Sequence, residues 1–453
     1  MVNKWKAILE KEGLFITVML LFVIFHFLVQ PGGDDLGRMN VSGWTYREVI
    51  RDTLNFCKGH PRYLVYFTLN TLCWLPGGVF LWRVLDCVML GIIIKSLVKL
   101  SERKEKVENL VILLVCLYPF EEMLTAGALS TTIGYIWVLA AGLGSLVLLK
   151  ISDERNLKWW ELCLLIIAAA FANNQEQLCM ILCVTYLIVC IYACVTGRRR
   201  LLLMGILTET ISLLSAIVLF GAALHGGRSD EIILFKDFGA LSFVDKFEMA
   251  FSSTADHILY DNGIILIFTG ILLFLIWEKT NRKTYLMVGM VPFILCCLGS
   301  MSGKLFENFR WAINTNVGKN VKYGAITVEN YQYISGYVQI FVMFLIGALI
   351  LLEVYLVGNS RKEGLIAIAI LLLGIMGRMS LMFTVNIVLS ATRTYLFLWF
   401  ALIGTLIYVV ANNYERVFKP FFARCPYIKK ALSGCIPIVA CIALINNLLI
   451  CVL

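Results

Sequence analysis

Residues 178–200 read LCMILCVTYLIVCIYACVTGRRR. From Leu178 to Val195 there is no charge at all, and Arg198, Arg199 and Arg200 follow at once. About 20 apolar residues carry a helix across the roughly 30 Å hydrocarbon core of a bilayer. Only a helix or a closed barrel pairs every backbone N–H and C=O inside that core, and a continuous apolar run without alternation selects the helix. The polar turn Asn173-Asn174-Gln175-Glu176-Gln177 precedes this run, and a second apolar run, 201–224, follows the arginines.

The same pattern fills the rest of the chain. Apolar runs fall at 13–30, 76–98, 109–119, 130–149, 159–171, 178–195, 201–224, 263–277, 285–301, 336–357, 364–377, 395–412 and 432–452. The runs at 109–119, 159–171 and 364–377 are short enough to be re-entrant. The expected fold is therefore an all-α integral membrane bundle of about 11–13 transmembrane helices. It forms one transmembrane domain over 1–453, with long connections at about 31–75, 225–262 and 302–335. Composition agrees: 60% of the 453 residues are hydrophobic and 15% charged, against about a quarter charged in a soluble domain. The net charge of +9 is spread between apolar runs, so it is not a nucleic-acid surface. The first apolar run lacks a small-residue cleavage site and reads as a signal-anchor.

Lysine and arginine set the expected orientation. If the N-terminus is cytoplasmic, 24 of the 39 lysines and arginines fall in the seven short segments that alternation places inside. All three long connections then lie outside. The last inside segment, Arg416 to Lys430, mixes basic residues with Phe418, Phe421, Phe422 and Tyr427, a composition that suits a membrane surface carrying anionic lipid. Most of the 15 cysteines sit within apolar runs, where they act as small hydrophobes. Cys57 and Cys73 share an external loop and could form a disulfide. The four histidines are too dispersed for a zinc site.

The first long connection holds the chemistry. It opens Pro31-Gly32-Gly33-Asp34-Asp35-Leu36-Gly37-Arg38 and continues through Arg47, Arg51, Lys58, His60 and Arg62. Adjacent carboxylates at a membrane boundary repel one another and offer oxygens to a proton or to a divalent cation. Arginines grip phosphate oxygens bidentately, and a carboxylate can take the proton of a hydroxyl. The competing reading is that Asp34 and Asp35 cap the amphipathic stretch 41–57, whose apolar positions Val41, Trp44, Val49, Ile50 and Leu54 have helical spacing. Further polar residues are expected on the same outer face: Glu121 and Glu122 after Pro119, Glu176 among its amides, and Arg393. Each also has a plainer role, as a helix start, a polar turn or an interfacial anchor. The loop 302–335 adds Phe306, Phe309, Arg310, Trp311, Tyr323, Tyr331 and Tyr333, which suit sugar stacking or an interfacial belt. Within the spans, Arg83 and Asp86 are spaced to neutralise one another; Glu161, Glu209 and Glu353 are the other acids there, with Glu161 and Glu353 close enough to span ends to reach the interface.

An acidic pair just beyond the first span, an interfacial helix and the element Gly59-His60-Pro61-Arg62 together resemble the polytopic glycosyltransferases of the GT-C type. The likeness is greatest to bacterial glucosyltransferase-like membrane proteins related to O-antigen-modifying glucosyl transferases, and to an uncharacterised group of similar length. It covers overall architecture and about three short motifs. It implies a catalytic aspartate at Asp34 or Asp35, and a polyprenyl-phosphate-linked sugar as donor. The acceptor would be a cell-surface glycan or lipid, and Arg38, Arg62, His60, Glu122, Glu176 and Arg393 would bind substrate. It implies a bacterial plasma membrane and no obligatory cofactor. Two rivals remain: a transporter or flippase of lipid-linked sugars, which would place its charges near the bilayer midplane, and a polysaccharide polymerase or ligase working through Arg310. The orientation is testable with alkaline phosphatase, active only outside the cytoplasm. Fusion after Gly43 should be active and fusion after Gly197 inactive; the reverse pattern would invert the topology.

Overall fold

The computed structural model describes residues 2–41, 43–101, 104–225, 238–260, 263–280, 282–301, 332, 334–384, 386–389 and 392–452. Arg310 and the aromatics expected in 302–335 lie outside the described residues. So do residues 226–237 of the second long connection. No strand occurs among the described residues, and each of the thirteen apolar runs lies in a helix. The chain is an all-α polytopic membrane protein. Among the described residues, six helices are long and apolar enough to cross a membrane, or seven if Phe243–Leu259 and Ile264–Lys279 count as one span. Five more apolar helices are shorter, among them Val107–Cys116 and Trp159–Ala172, two of the runs that look short in the sequence.

The chain divides into two compact units. The first comprises Met1–Asp230, Ala391–Phe397 and Ala431–Leu453. It contains α1 (Val2–Leu28), α2 (Asp34–Met39), α3 (Tyr46–Cys57), α4 (Tyr63–Trp74), α5 (Gly78–Leu100) and α6 (Lys104–Cys116). It continues through α7 (Ala128–Glu154), α8 (Trp159–Ala172), α9 (Glu176–Val195) and α10 (Arg199–His225). The expected loop 31–75 is therefore three helices. Thr45, not an aspartate, caps α3. Its hydroxyl accepts from the Glu48 N–H at 3.4 Å, while its own N–H donates to the Glu48 carboxylate at 2.7 Å. That bond and one from the Thr45 hydroxyl hold the Glu48 carboxyl below the usual carboxylate range. The stripe that α3 buries is Val49, Thr53 and Cys57; Trp44 and Leu54 stay exposed. All fifteen cysteines are free, so Cys57 and Cys73 are not bridged.

Two polar clusters tie α1 to α5, because an isolated charge in a span is costly and a paired one is tolerated. At one end, Lys95 on α5 pairs with Glu12 on α1 and, at 2.6 Å, with Glu108 on α6. At the other, His26 on α1 pairs with Asp86 on α5, and the Trp137 indole N–H of α7 donates to the second Asp86 oxygen at 2.5 Å. The expected Arg83–Asp86 pair is not made. Arg83 turns to the Val29 carbonyl and lies over the Phe27 ring. His26 and Asp86 line a cavity of about 10 Å³ with Trp82, Met123, Ala128 and Thr132, room for about one water.

The second unit comprises Glu231–Ser390 and Leu398–Lys430. Its helices include α11 (Phe243–Tyr260), α12 (Ile264–Lys279), α13 (Lys283–Met301), α14 (Ile334–Leu356), α15 (Arg361–Met379) and α16 (Leu396–Asn413). Phe238, Met249 and Ala250 pack on Leu381, Met382 and Ile387, so part of the expected external segment 225–262 is a packed helix. Within a bilayer, helices associate through close packing of small residues more than through solvent exclusion. Gly374 shows this: a Cβ there would lie 2.3 Å from the Ala401 Cβ. Gly374→Val should lower stability by about 1–3 kcal/mol in a detergent melting experiment. Gly144→Ala, which meets nothing within 4 Å, should not lower it.

Candidate functional site

The acidic pair is divided between two tasks. Asp34 is exposed, and its neighbour Asp35 is wholly buried. The Asp35 carboxylate accepts from the Leu129 N–H at 3.0 Å, the Ser130 N–H at 2.9 Å and the Ser130 hydroxyl at 2.6 Å. These are first-turn groups of α7, which have no partner inside their own helix, and the helix dipole favours a negative charge there. Asp35 is thus a helix cap supplied from another part of the chain. It caps α7 rather than the 41–57 stretch that the sequence offers as the nearest client. The approach is tight on both sides. Gly127 has φ +124°, and a Cβ on it would meet the Asp35 carboxylate at 2.6 Å. Gly33 has φ +53°, with the Ala126 carbonyl 2.8 Å from where its Cβ would be. The Asp34 N–H donates to that carbonyl at 2.8 Å, which leaves the Asp34 side chain projecting outward.

Arg38, one turn along α2 from Asp34 and hence on the same face, opens a connected polar and aromatic cluster on the first unit. Its guanidinium sits 4.6 Å over the Phe56 ring and 4.9 Å over Tyr66, and donates to Asn70 at 3.1 Å. Asn70 is steadied in turn by Thr53 at 2.8 Å. His60 stacks on Phe56 with centroids 4.7 Å apart. Arg62, two residues on, donates through Nε to Glu176 at 2.7 Å and through Nη2 at 2.6 Å. Burial works against charge on Arg62, but Glu176 more than offsets it, aided by Tyr66 and Tyr135, so the guanidinium is held above its ordinary pKa.

Glu176 belongs to a turn that is buried rather than solvated. Asn173, Gln175 and Gln177 are each 0% exposed. Asn174 accepts from the Val65 N–H at 3.1 Å, Asn173 from the Ser212 hydroxyl at 2.7 Å, and Gln177 donates to the Thr394 carbonyl at 2.9 Å. That last bond fixes the position of Arg393, which is half-exposed. The 392–395 turn packs against the turn Phe120–Leu124, which carries Glu121 and Glu122. Glu122 is buried and accepts from the Tyr118 hydroxyl at 3.4 Å.

Asp34, Asp35, Arg38, His60, Arg62, Glu122, Glu176 and Arg393 all belong to the first unit. Arg47, Arg51 and Lys58 are left exposed on α3. Among the described residues, no three His, Cys, Asp or Glu side chains converge on a metal-sized space. Tyr66, Tyr135 and Asn70 join the cluster without having been singled out in the sequence. Their helical spacing reads as ordinary apolar helix, and only the fold shows which face meets Arg38 and Arg62. No protein-family model, no curated protein and no solved structure matches the chain.

The division of the pair has a measurable consequence. Asp35→Asn removes charge and one acceptor from a buried cap, and should lower stability by about 1–3 kcal/mol. Asp34→Asn should leave the melting temperature unchanged. Equal effects would mean that the two carboxylates are not divided in this way.

Proposed function

We propose that the chain is a glycosyltransferase of a bacterial plasma membrane, with a cytoplasmic N-terminus and a site facing outward. It would move a sugar from a polyprenyl-phosphate donor to a cell-surface glycan or lipid. The observation that carries the reading is an exposed carboxylate, Asp34, held through its backbone at the start of α2 and one turn from Arg38. In this scheme Asp34 takes the proton of the acceptor hydroxyl as its oxygen attacks the anomeric carbon. The bond from that carbon to the phosphate oxygen breaks, with inversion, and the polyprenyl phosphate leaves with the electron pair. Arg38 and Arg393 balance the charge that grows on the departing phosphate, where preformed positive groups accelerate the step most. Arg62, already neutralised by Glu176, holds the α4 end in place and offers hydrogen bonds more than net charge. Phe56, Tyr66 and His60 supply ring faces against which a sugar can stack. The scheme needs no nucleotide and no metal.

Purified protein supplied with polyprenyl-phosphate sugars should transfer or release sugar. Asp34→Asn should lower kcat by about 10²-fold or more at unchanged melting temperature, and Arg393→Ala should weaken turnover less. Full activity in Asp34→Asn would remove the general base. Movement of intact lipid-linked sugar across a vesicle membrane, without turnover, would replace the enzyme with a flippase.

A further inference from the structure

The second unit carries a carboxyl group that the scheme above does not use. Glu353 lies on α14, one turn before its end, and is 0% exposed. Neither of its side-chain oxygens has a hydrogen-bond partner. Four helices pack on α14: α11, α12, α13 and α15. From α13 the Cys296 thiol faces Glu353 and is itself wholly buried. Several charged groups of the neighbouring helices have other partners. Lys279 of α12 donates to the Val357 carbonyl at 2.5 Å, Glu363 of α15 accepts from the Asn359 N–H at 3.0 Å, and Arg378 of α15 donates to the Ile387 carbonyl at 2.9 Å. From α11, His257 is buried as well.

A lone carboxylate in such surroundings is avoided by neutralisation, either with a cation or with a proton. Calcium or magnesium needs about six oxygen ligands and zinc about four N, S or O ligands, and among the described residues no three His, Cys, Asp or Glu converge. Beside Glu353 lie the Cys296 thiol and, on its own helix, the buried apolar residues Ile350, one turn back, and Val354, next in the chain, so the fitting ligand is a proton. The polar end of the helix is close by. Val357, four residues on and so about 6 Å along the helix, has its carbonyl bonded by Lys279 and by Asn413 at 3.0 Å. That end of α14 is polar, whereas the flank of Glu353 is not.

We propose that Glu353 is a proton-binding site: a carboxylic acid that holds its proton in the folded protein and exchanges it through the polar end of α14. The proposal stands independently of the transferase reading. The test is an infrared difference spectrum of the full-length protein in lipid, wild type minus Glu353→Gln, at neutral pH. A protonated carboxyl C=O band that shifts in heavy water and is missing from the variant is expected. Carboxylate bands in its place would overturn the proposal. Should Glu353→Gln not fold, Cys296→Ser decides the matter. A serine hydroxyl donating to the acid should move the band to lower frequency, and an unmoved band would show that the acid lies elsewhere. Sugar transfer is read separately, so its loss or retention does not bear on the result.

Discussion

The start of α7 makes the strongest demand on the first unit. A helix that begins against the membrane leaves first-turn N–H groups unsatisfied, and at Leu129 and Ser130 no residue of the preceding loop supplies an acceptor. Asp35 supplies it from nearly a hundred residues upstream. Much follows from that bond. The segment after α1 must reach across to α7, which requires the two left-handed glycines, Gly33 and Gly127, at the crossing. Adjacent backbone is then held by the Ala126 carbonyl, and α2 departs in a fixed direction. The position of Asp34 and Arg38 is thus a by-product of capping.

Below this clamp, the polar groups within the spans neutralise one another across helices rather than along one. His26 with Asp86, and Lys95 with Glu12 and Glu108, join α1, α5 and α6 at two levels. Trp137 and Trp82 add indole bonds to Asp86 and Thr132. In lipid the alternative to such a bond is an unsatisfied polar group, so each cluster restricts helix register as well as charge.

The helices were legible because period and length suffice for them: an uncharged run of 18 or more residues has one stable form in a bilayer. What was not legible depends on partners distant in the chain. Asp34 and Asp35 are equivalent in sequence, and only the α7 terminus distinguishes them. Asp86 looked paired with Arg83 at helical spacing, whereas its partner is His26, sixty residues earlier. The same limit applies to α3, whose buried stripe includes Thr53 and Cys57 in place of the more hydrophobic Leu54. Asn173 to Gln177 reads as a solvated turn, because nothing local announces that three other segments close over it. Glu176, Arg62 and Arg393 were singled out for their chemistry, and the fold adds how they are held.

That turn has a meaning for the chain as a physical object. Short connections between membrane helices are ordinarily the places where length drifts and where a foreign peptide can be spliced in without harm. Residues 173–177 are the opposite, a keystone in which Asn174, Asn173 and Gln177 are engaged by α4, α10 and the 392–395 turn in that order. An added residue there would displace three remote segments together. The connection is therefore as length-invariant as the interior of a helix.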